Sequence, residues 1–268
     1  MRPPILAADS VTELGGEVRG AVLVAGSHGG LIAAYLGATA GAHALILNDA
    51  GIGCDGAGIA GLAWLERIGM AAATVSHLSS RIGDGRDSLA RGVISHANGC
   101  ALGTGVAIGM RADMTAERLR DAPAAHAPPP PYAEGRWQVG SQRGVEVWAL
   151  DSVGKLAADD DGRILVIGSH GALHGGRRDS ALDHGGHPIA ARAVAFNDAG
   201  GGIDAAGTTR LAELDLRGIP AVTVGAHSAR IGDGRSMLET GTISCLNVAA
   251  RRAGAQVGAR LSAWIAQL

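Results

Sequence analysis

Short apolar runs alternate with amphipathic stretches along the whole chain. In the first half, such runs occupy residues 21–25, 44–47 and 72–76, and each stops at glycine or a polar residue. In the second half, matching runs occupy 164–167, 193–196 and 221–224. Apolar runs of this length are typical of strands that are buried on both faces. The pattern predicts parallel strands joined by helices through right-handed crossovers.

Helix boundaries are suggested by acidic residues and glycines. Asp55 and Asp204 stand where helix N-caps are expected, and Gly69 and Gly218 stand where the same helices would end. Leucines at helical spacing lie between these boundaries, at positions 62 and 65 in one case and 211 and 214 in the other.

The two halves share motifs at fixed offsets. Asn-Asp-Ala-Gly at 48–51 returns at 197–200, and Ser-x-Arg-Ile-Gly-Asp-Gly at 79–85 returns at 228–234, both 149 positions later. Gly-Ser-His-Gly at 26–29 returns at 168–171, an offset of 142. We therefore predict a tandem duplication, with seven extra residues in the second copy between the Ser-His and Asn-Asp motifs.

The boundary between the copies is marked by residues 121–131, which end in four consecutive prolines and are typical of a stiff linker. Residues 137–140 and 145–150 are predicted to form a hairpin. We expect a first α/β repeat at 1–120, a proline-rich linker at 121–134 and a second repeat at 135–268. The predicted fold class is α/β, with two tandem pseudo-symmetric lobes. Each lobe would be a three-layer unit with a mainly parallel, Rossmann-like sheet of at least three strands.

The shared motifs follow the predicted strands, and ligands of parallel α/β sheets bind beyond the carboxyl ends of the strands. The Gly-Ser-His-Gly motif contains Ser27 and His28, and in the second half Ser169 and His170. These pairs are candidates for nucleophilic or acid–base chemistry, or for an anion cradle at a helix N-terminus. Two alternatives are a tight turn with Ser as N-cap and a nucleophile elbow, which the bulky Ile167 disfavours.

The Asn-Asp motif supplies Asp49 and Asp198 as further catalytic candidates. Each carboxylate would orient His28 or His170, act as a base or bind a cation, and the alternative is an Asx-turn. Asn48 and Asn197, which precede them, are predicted to bind substrate.

The Ser-x-Arg motif places Arg81 and Arg230 beside serine hydroxyls, which is suited to clamping a carboxylate or phosphate. The alternative is an internal salt bridge, from Arg81 to Asp84 and from Arg230 to Asp233. The predicted substrate-binding set from this motif is Ser79, Arg81, Asp84, Ser228, Arg230 and Asp233.

The copies also differ. His77 aligns with Ala226, and the second copy carries extra histidines in its insertion. The candidate metal ligands are His170 of the shared Ser-His motif and His174, His184 and His187 of the insertion, which would form a zinc or other transition-metal site. The alternative is a polar surface loop, because the spacing matches no known ligand motif.

Composition narrows the possible functions. The net charge of −2 and the 3% aromatic content argue against nucleic acid, and no apolar run approaches the ~18 residues of a membrane span. Lys155 is the only lysine, so lysine chemistry is disfavoured. Three unmatched cysteines suggest a reducing compartment, and we predict a cytoplasmic homo-oligomer without nucleic-acid or membrane partners.

These observations predict an enzyme that acts on a small carboxylate- or amide-bearing metabolite, with hydrolysis as the leading reaction. The site is expected at the strand ends between the two repeats, without a cofactor or, alternatively, with a divalent metal ion. An isomerase or lyase using acid and base from the two lobes is an alternative. A binding module for a phosphorylated small molecule is another.

Overall fold

The computed structural model describes residues 2–268 and contains two compact α/β units. The first unit comprises the chain up to Ile52, Gly56–Tyr132 and Gly202–Asp204. The second comprises Gly53–Asp55, Ala133–Gly201 and Ala205–Leu268. The division after Tyr132 falls within the predicted linker, and residues 121–135 contain no helix or strand.

The first unit is built on a five-stranded sheet in which the strands lie in chain order. The first four strands are parallel and the fifth is antiparallel. Its strands are β1 (Ile5–Ala8), β2 (Val22–His28), β3 (Ala44–Asn48), β4 (Ala72–Val75) and β5 (Ile94–Ala97). Its helices are α1 (Leu31–Thr39), α2 (Ala60–Glu66), α3 (Gly85–Arg91), α4 (Gly99–Leu102) and α5 (Ala112–Leu119).

Helices cover both faces of this sheet because successive strand residues point to opposite sides. On one face, Leu23 of β2 belongs to the same buried cluster as Leu62 and Leu65 of α2. On the other face, Val24 clusters with Leu119 of α5. The unit therefore has the three-layer architecture that the continuous apolar runs predict.

The second unit has a six-stranded sheet with the order β13-β12-β11-β8-β7-β6. Strands β7, β8, β11 and β12 are parallel, and β6 and β13 are antiparallel edge strands. The strands are β6 (Arg136–Gln142), β7 (Val145–Leu150), β8 (Ile164–His170), β11 (Ala193–Asn197), β12 (Ala221–Val224) and β13 (Ile243–Leu246), while β9 (Asp183–His184) and β10 (His187–Pro188) form a separate small hairpin. The helices are α6 (Arg210–Leu216), α7 (Gly234–Thr240), α8 (Val248–Arg252) and α9 (Leu261–Ile265).

The same alternation buries both faces of the second sheet. Leu165 and Phe196 belong to one cluster, and Val166 packs in another with Leu261 and Trp264 of α9. The predicted hairpin of β6 and β7 is confirmed, and its turn uses Arg143 and Gly144 at φ +48° and +85°.

Two predicted boundaries are wrong. The Gly-Ser-His motifs do not form loops after the strands, because β2 and β8 continue through His28 and His170. Helix α1 then begins at Leu31 with Gly30 as N-cap, so Ser27 neither caps a helix nor sits on the sharp turn of a nucleophile elbow.

Asp55 and Asp204 are not helix N-caps. Both have left-handed backbone angles, with φ of +54° and +57°, whereas an N-cap residue is normally extended. Helices α2 and α6 begin later, at Ala60 and Arg210, without a side-chain cap. The glycine ends are confirmed, since Gly69 and Gly218 adopt φ of +74° and +68° just after the helices.

Within residues 2–268, every helix is too short or too polar to cross a lipid bilayer.

Candidate active site

Three polar residues of the first unit lie along the carboxyl edge of its sheet. The register pairs His28 at the end of β2 with Asn48 at the end of β3, and Asn48 with Val75 at the end of β4. Asp49 follows Asn48, and His77 lies two residues past Val75. The parallel arrangement therefore places His28, Asp49 and His77 along one edge, where α/β proteins bind ligands.

Asp49 holds the imidazole of His77. The Asp49 Oδ1 atom lies 2.8 Å from His77 Nδ1 and 2.9 Å from the peptide nitrogen of the same residue. The Gly51 peptide N–H donates to the same oxygen at 3.1 Å. The carboxylate is buried, whereas the His77 side chain keeps 19% of its surface exposed. The imidazole of His77 is thus held in place by Asp49 and remains partly accessible at the carboxyl edge of the sheet.

The electrostatics of Asp49 suit this pairing. Burial by itself raises the pKa of the Asp49 carboxyl, but the side chain and peptide N–H of His77 and the Ser95 hydroxyl lower it below its ordinary value. Ser95 is held by Thr74, since the two hydroxyl oxygens are 3.2 Å apart. Asp49 consequently stays ionised at neutral pH.

His28 does not contact Asp49, although the motifs suggested this pairing. Its Nδ1 accepts a hydrogen bond from the Gly30 peptide N–H at 3.1 Å, and the residue is only 5% exposed. Burial lowers the pKa of His28 to about 4. The imidazole is therefore neutral at physiological pH.

The motif serines have backbone partners. Ser27 Oγ accepts from the Val11 peptide N–H at 3.0 Å, and Ser169 Oγ accepts from Val153 at 3.0 Å. Within residues 2–268, Ser27 makes no hydrogen bond to His28. These hydroxyls tie the turn after the preceding strand to the sheet, which is a structural role.

The asparagines of the shared motif close Asx-turns. Asn48 Oδ1 accepts from Ala50 N–H, and its Nδ2 donates to the Ser80 carbonyl. Asn197 does the same with Ala199 and Ala229. Both asparagines are fully buried, so the structure assigns them to holding the loops.

Asp198 lacks the imidazole that Asp49 holds. Its Oδ1 accepts from the peptide N–H groups of Gly200 and Ala226, at 2.9 and 2.8 Å. Ala226 occupies the position of His77, so the loop geometry is kept while the ionisable partner is missing.

The predicted arginine clamps are engaged in ion pairs. Arg81 Nη1 lies 3.5 Å from Asp87, and its Nη2 lies 2.8 Å from Asp204, both in the first unit. The predicted Arg81–Asp84 bridge is replaced by these pairs, because Asp84 caps helix α3 by accepting from Asp87 N–H. About half of the Arg81 side chain remains exposed, at 47%.

In the second unit, the predicted bridge does form. Arg230 Nη2 lies 3.1 Å from Asp233, and Nη1 lies 3.0 Å from Asp55, which belongs to the same unit. Asp233 also caps α7. The serines Ser79 and Ser228 donate to the carbonyls of Ser76 and Gly225, so they brace the turn.

The Asp49 loop carries backbone strain at Ile52 that the matching position of the second unit lacks. Ile52 adopts φ +65°, which is a rare conformation for a β-branched residue. Its N–H donates to the Asp49 carbonyl at 2.7 Å, and its side chain is 39% exposed. The matching residue is Gly201, which adopts φ +73° without strain. Such strain is concentrated at functional sites in proteins.

The histidines of the insertion do not gather into one cluster. The rings of His170 and His174 are 6.1 Å apart, and His174 Nε2 lies 3.1 Å from the buried Arg210 guanidinium. His184 and His187 lie on the small hairpin and are exposed. Across the described part of the chain, no three His, Cys, Asp or Glu residues are placed to hold a metal ion.

Sequence reasoning missed His77 as the partner of Asp49. The sequence did offer one indication, since His77 aligns with Ala226. An ionisable residue that only one of the two halves has is not needed to hold the loops that both halves share. The supporting hydroxyls of Thr74 and Ser95 were also missed, since they lie within strands and have counterparts in Thr223 and Ser244.

Comparisons with protein-family models, curated proteins and solved structures gave no match to this chain.

Proposed function

We propose that the first unit is the catalytic unit of an enzyme that acts on a small carboxylate- or amide-bearing metabolite, most favourably by hydrolysis. The observation that carries this proposal is the 2.8 Å contact between Asp49 Oδ1 and His77 Nδ1 at the carboxyl edge of the sheet. An ionised carboxylate that anchors a partly exposed imidazole is a recurrent acid–base device.

The geometry supports a defined proton path. Asp49 keeps the Nδ1 atom of His77 protonated, so Nε2 carries the lone pair and acts as the base. In hydrolysis, Nε2 accepts a proton from water as the water oxygen attacks the carbonyl carbon. The same imidazolium then returns the proton to the leaving group, while Asp49 stabilises its positive charge.

The substrate class is supported by Arg81. A guanidinium has five N–H donors, and Arg81 uses two of its nitrogens for Asp87 and Asp204. The remaining donors and the exposed half of the side chain suit a substrate carboxylate. Hydrolysis by this route needs no cofactor.

Two other functions are alternatives to hydrolysis. An isomerase or lyase would use the same base without consuming water, and turnover in H₂¹⁸O distinguishes it by the absence of label in the product. A binding module for a phosphorylated small molecule would bind its ligand without any turnover.

The decisive experiment compares the purified protein with His77→Ala and with His227→Ala, an exposed histidine of the second unit. The substrates are p-nitrophenyl acetate and a panel of small amides and amide-bearing carboxylates. We expect turnover by the parent protein and by His227→Ala, and a loss of kcat/KM of ~10²–10⁴-fold in His77→Ala. Full activity in His77→Ala would refute the assignment.

Three broader features are part of the same proposal. The shared motifs and the matching strand orders of the two sheets support origin by duplication. The odd number of cysteines, Cys54, Cys100 and Cys245, which form no disulfide with one another, supports a cytoplasmic location. We also propose a homo-oligomer, which light scattering on the purified protein would test.

A further inference from the structure

The tautomer of His28 is fixed by its surroundings. Its Nδ1 accepts from the Gly30 peptide N–H at 3.1 Å, so the proton of the neutral ring resides on Nε2. Gly30 is required at this contact, because a Cβ atom there would lie 2.6 Å from Nδ1. His28 therefore presents an N–H donor rather than a basic nitrogen.

This donor has no acceptor within residues 2–268. The Gly30 contact is the one hydrogen bond that the His28 side chain makes in this part of the chain. The ring is nevertheless 95% buried, since its residue keeps 5% of its surface. Within residues 2–268, the fully enclosed side-chain atoms that lack a partner are His43 Nε2, His96 Nδ1 and Glu134 Oε1, and His28 Nε2 is not one of them. The His28 N–H therefore reaches the surface at the carboxyl edge of the sheet, where it is open to an acceptor from outside the chain.

The ring lies next to the loop that carries the catalytic carboxylate. The Cβ position at Gly30 is 2.6 Å from the His28 ring and 2.8 Å from the Ala57 carbonyl, which belongs to the loop after Asp49. The Gly29 N–H also donates to the Asn48 carbonyl at 2.7 Å. Because neighbouring strands are about 4.8 Å apart, the ends of β2 and β4 are separated by about 10 Å, which a small substrate spans.

We propose that His28 is a catalytic residue that acts as a neutral hydrogen-bond donor, with its Nε2–H binding the carbonyl oxygen of the substrate on which His77 acts. This inference rests on the proposed function. It reverses the acid–base role that the motif suggested for His28, because the nitrogen that would act as a base is occupied by the Gly30 N–H. The low pKa of His28, about 4, agrees with this role, since the ring stays neutral while charge develops on the substrate.

The role of His28 fits a balanced hydrolytic step. As the water oxygen bonds to the carbonyl carbon, the proton passes to His77 and the carbonyl π electrons move to oxygen. His28 stabilises that oxyanion by its hydrogen bond and keeps its own proton. The carbonyl then re-forms, the bond to the leaving group breaks, and His77 protonates the leaving group.

The second unit surrounds the matching imidazole differently. His170 Nδ1 accepts from Ala172 at 3.3 Å, and the ring of His174 lies against it, where the first unit has Ile32. His174 in turn contacts Arg210, which aligns with Gly61. The assignment is therefore made for His28 and not for His170.

Two substitutions separate the proposed Nε2–H donor of His28 from the contact of its Nδ1 with the Gly30 N–H. In His28→Asn, the side-chain oxygen replaces Nδ1 as the acceptor for Gly30, and the Nε2 donor is lost. In His28→Gln, the amide nitrogen takes the place of Nε2. With the substrate identified in the panel above, we expect kcat to fall ~10²–10³-fold in His28→Asn, with KM changed less than threefold, and to fall less than tenfold in His28→Gln.

Equal losses in the two variants, or an active His28→Asn, would overturn the inference. Circular dichroism and the melting temperature of each variant exclude misfolding as the cause of a loss. If His77→Ala is inactive while His28→Asn keeps full activity, only the role of His28 fails. If His77→Ala is fully active, the proposed function fails.

A measurement without any substrate also decides the matter. In ¹⁵N-histidine-labelled protein, His28 is expected to be neutral and protonated on Nε2 at pH 7, with the resonance assigned by its loss in His28→Asn. A ring protonated on Nδ1, or a charged ring at pH 7, contradicts the inference.

Discussion

The two units hold the same polar framework, but only the first pairs the aspartate of that framework with a histidine. Asp49 and Asp198 both accept peptide N–H groups from the next strand end and from their own turn. At the position where His77 adds an imidazole, the second unit has Ala226. Asp49 and Asp198 therefore both brace their loops, and the two units differ in whether that carboxylate also holds an imidazole.

The surroundings of the matching histidines differ in the same way. In the first unit, helix α1 follows His28 directly, whereas in the second unit the chain after His170 forms a short 3₁₀ turn at His174–Gly176. The buried Arg210 binds the carbonyls of Ala172 and Ala181 there. The polar groups that follow His170 are therefore bonded to one another within the second unit, whereas helix α1 follows His28 in the first.

A third difference lies in the core. Val18 is buried as an apolar residue in the first unit, whereas the aligned Asp160 is a fully buried carboxylate in the second. Asp160 accepts from Arg136 at 2.7 and 2.9 Å and from Arg163 at 3.1 Å. The hairpin strand β6, which has no counterpart in the first unit, supplies Arg136.

The largest effect is expected from a substitution that breaks the Asp49–His77 pair. Asp49→Asn keeps an oxygen for the peptide N–H groups but removes the charge that fixes the His77 tautomer. We expect kcat to fall ~10²–10⁴-fold, equivalent to about 3–5 kcal/mol in the barrier. Steady-state kinetics on the identified substrate measure this change, and parent-like kcat would place the catalytic group elsewhere.

The next effect tests the core difference. Asp160→Ala leaves two partly buried guanidinium groups without their shared carboxylate, and we expect a loss of about 3–5 kcal/mol in the free energy of unfolding. Urea denaturation of the variant and the parent protein gives the value. A loss below about 1 kcal/mol would mean that the ion pairs are fully screened by solvent.

A third prediction concerns the pH dependence of stability. Because the pKa of His28 is about 4 in the folded protein, below the ordinary value of 6.5, protonation favours the unfolded chain. The contribution of His28 to the free energy of unfolding is fully present above about pH 6.5. It decreases by about 3 kcal/mol as the pH falls toward 4. Urea denaturation of the parent and of His28→Asn at pH 7 and pH 4.5 isolates the part of the pH dependence that comes from His28. An identical pH dependence in both proteins would show that the pKa of His28 is not lowered.

The smallest effect sharpens the comparison of the strained loops. Gly201→Ile gives the second unit the residue type of Ile52 at the matching position, where φ is +73° and no atom within 4 Å obstructs a Cβ. The cost is therefore that of the backbone conformation, about 1–2 kcal/mol in the free energy of unfolding. Thermal denaturation measures it, with Gly201→Asn as the control because asparagine tolerates this conformation. Equal stability of the Ile and Asn variants would show that the loop relaxes, and that Ile52 is not strained either.

Much of the fold follows from local pattern. Runs such as 44–47 and 221–224 are apolar on both faces, so they specify buried strands within one residue of their ends. The ends of β2 and β8 were misjudged because His28 and His170 pair with the neighbouring strand again after a register shift at Gly-Ser, which no local preference of glycine or serine indicates. Asp55 was misjudged for a related reason, since its left-handed conformation is set by the whole loop.

The candidate site was predicted in part. Asp49 and His28 were identified from their recurrence, and the structure places both at the expected edge of the sheet. The partner of Asp49 was not, because His77 is 28 residues away along the chain and recurs nowhere in the second half. Recurrence detects what a framework requires and cannot detect a residue that one unit alone has.

The sequence by itself determined the alternation of strands and helices, the two matched sets of polar motifs and the edge of the sheet to which they belong. These features depend on residues close together along the chain, whose periodicity and turn chemistry are local. The tertiary structure decided which carboxylate holds which imidazole and which nitrogen of His28 carries the proton. Both outcomes depend on strand register and on contacts of a few ångströms between distant residues, which local pattern does not specify.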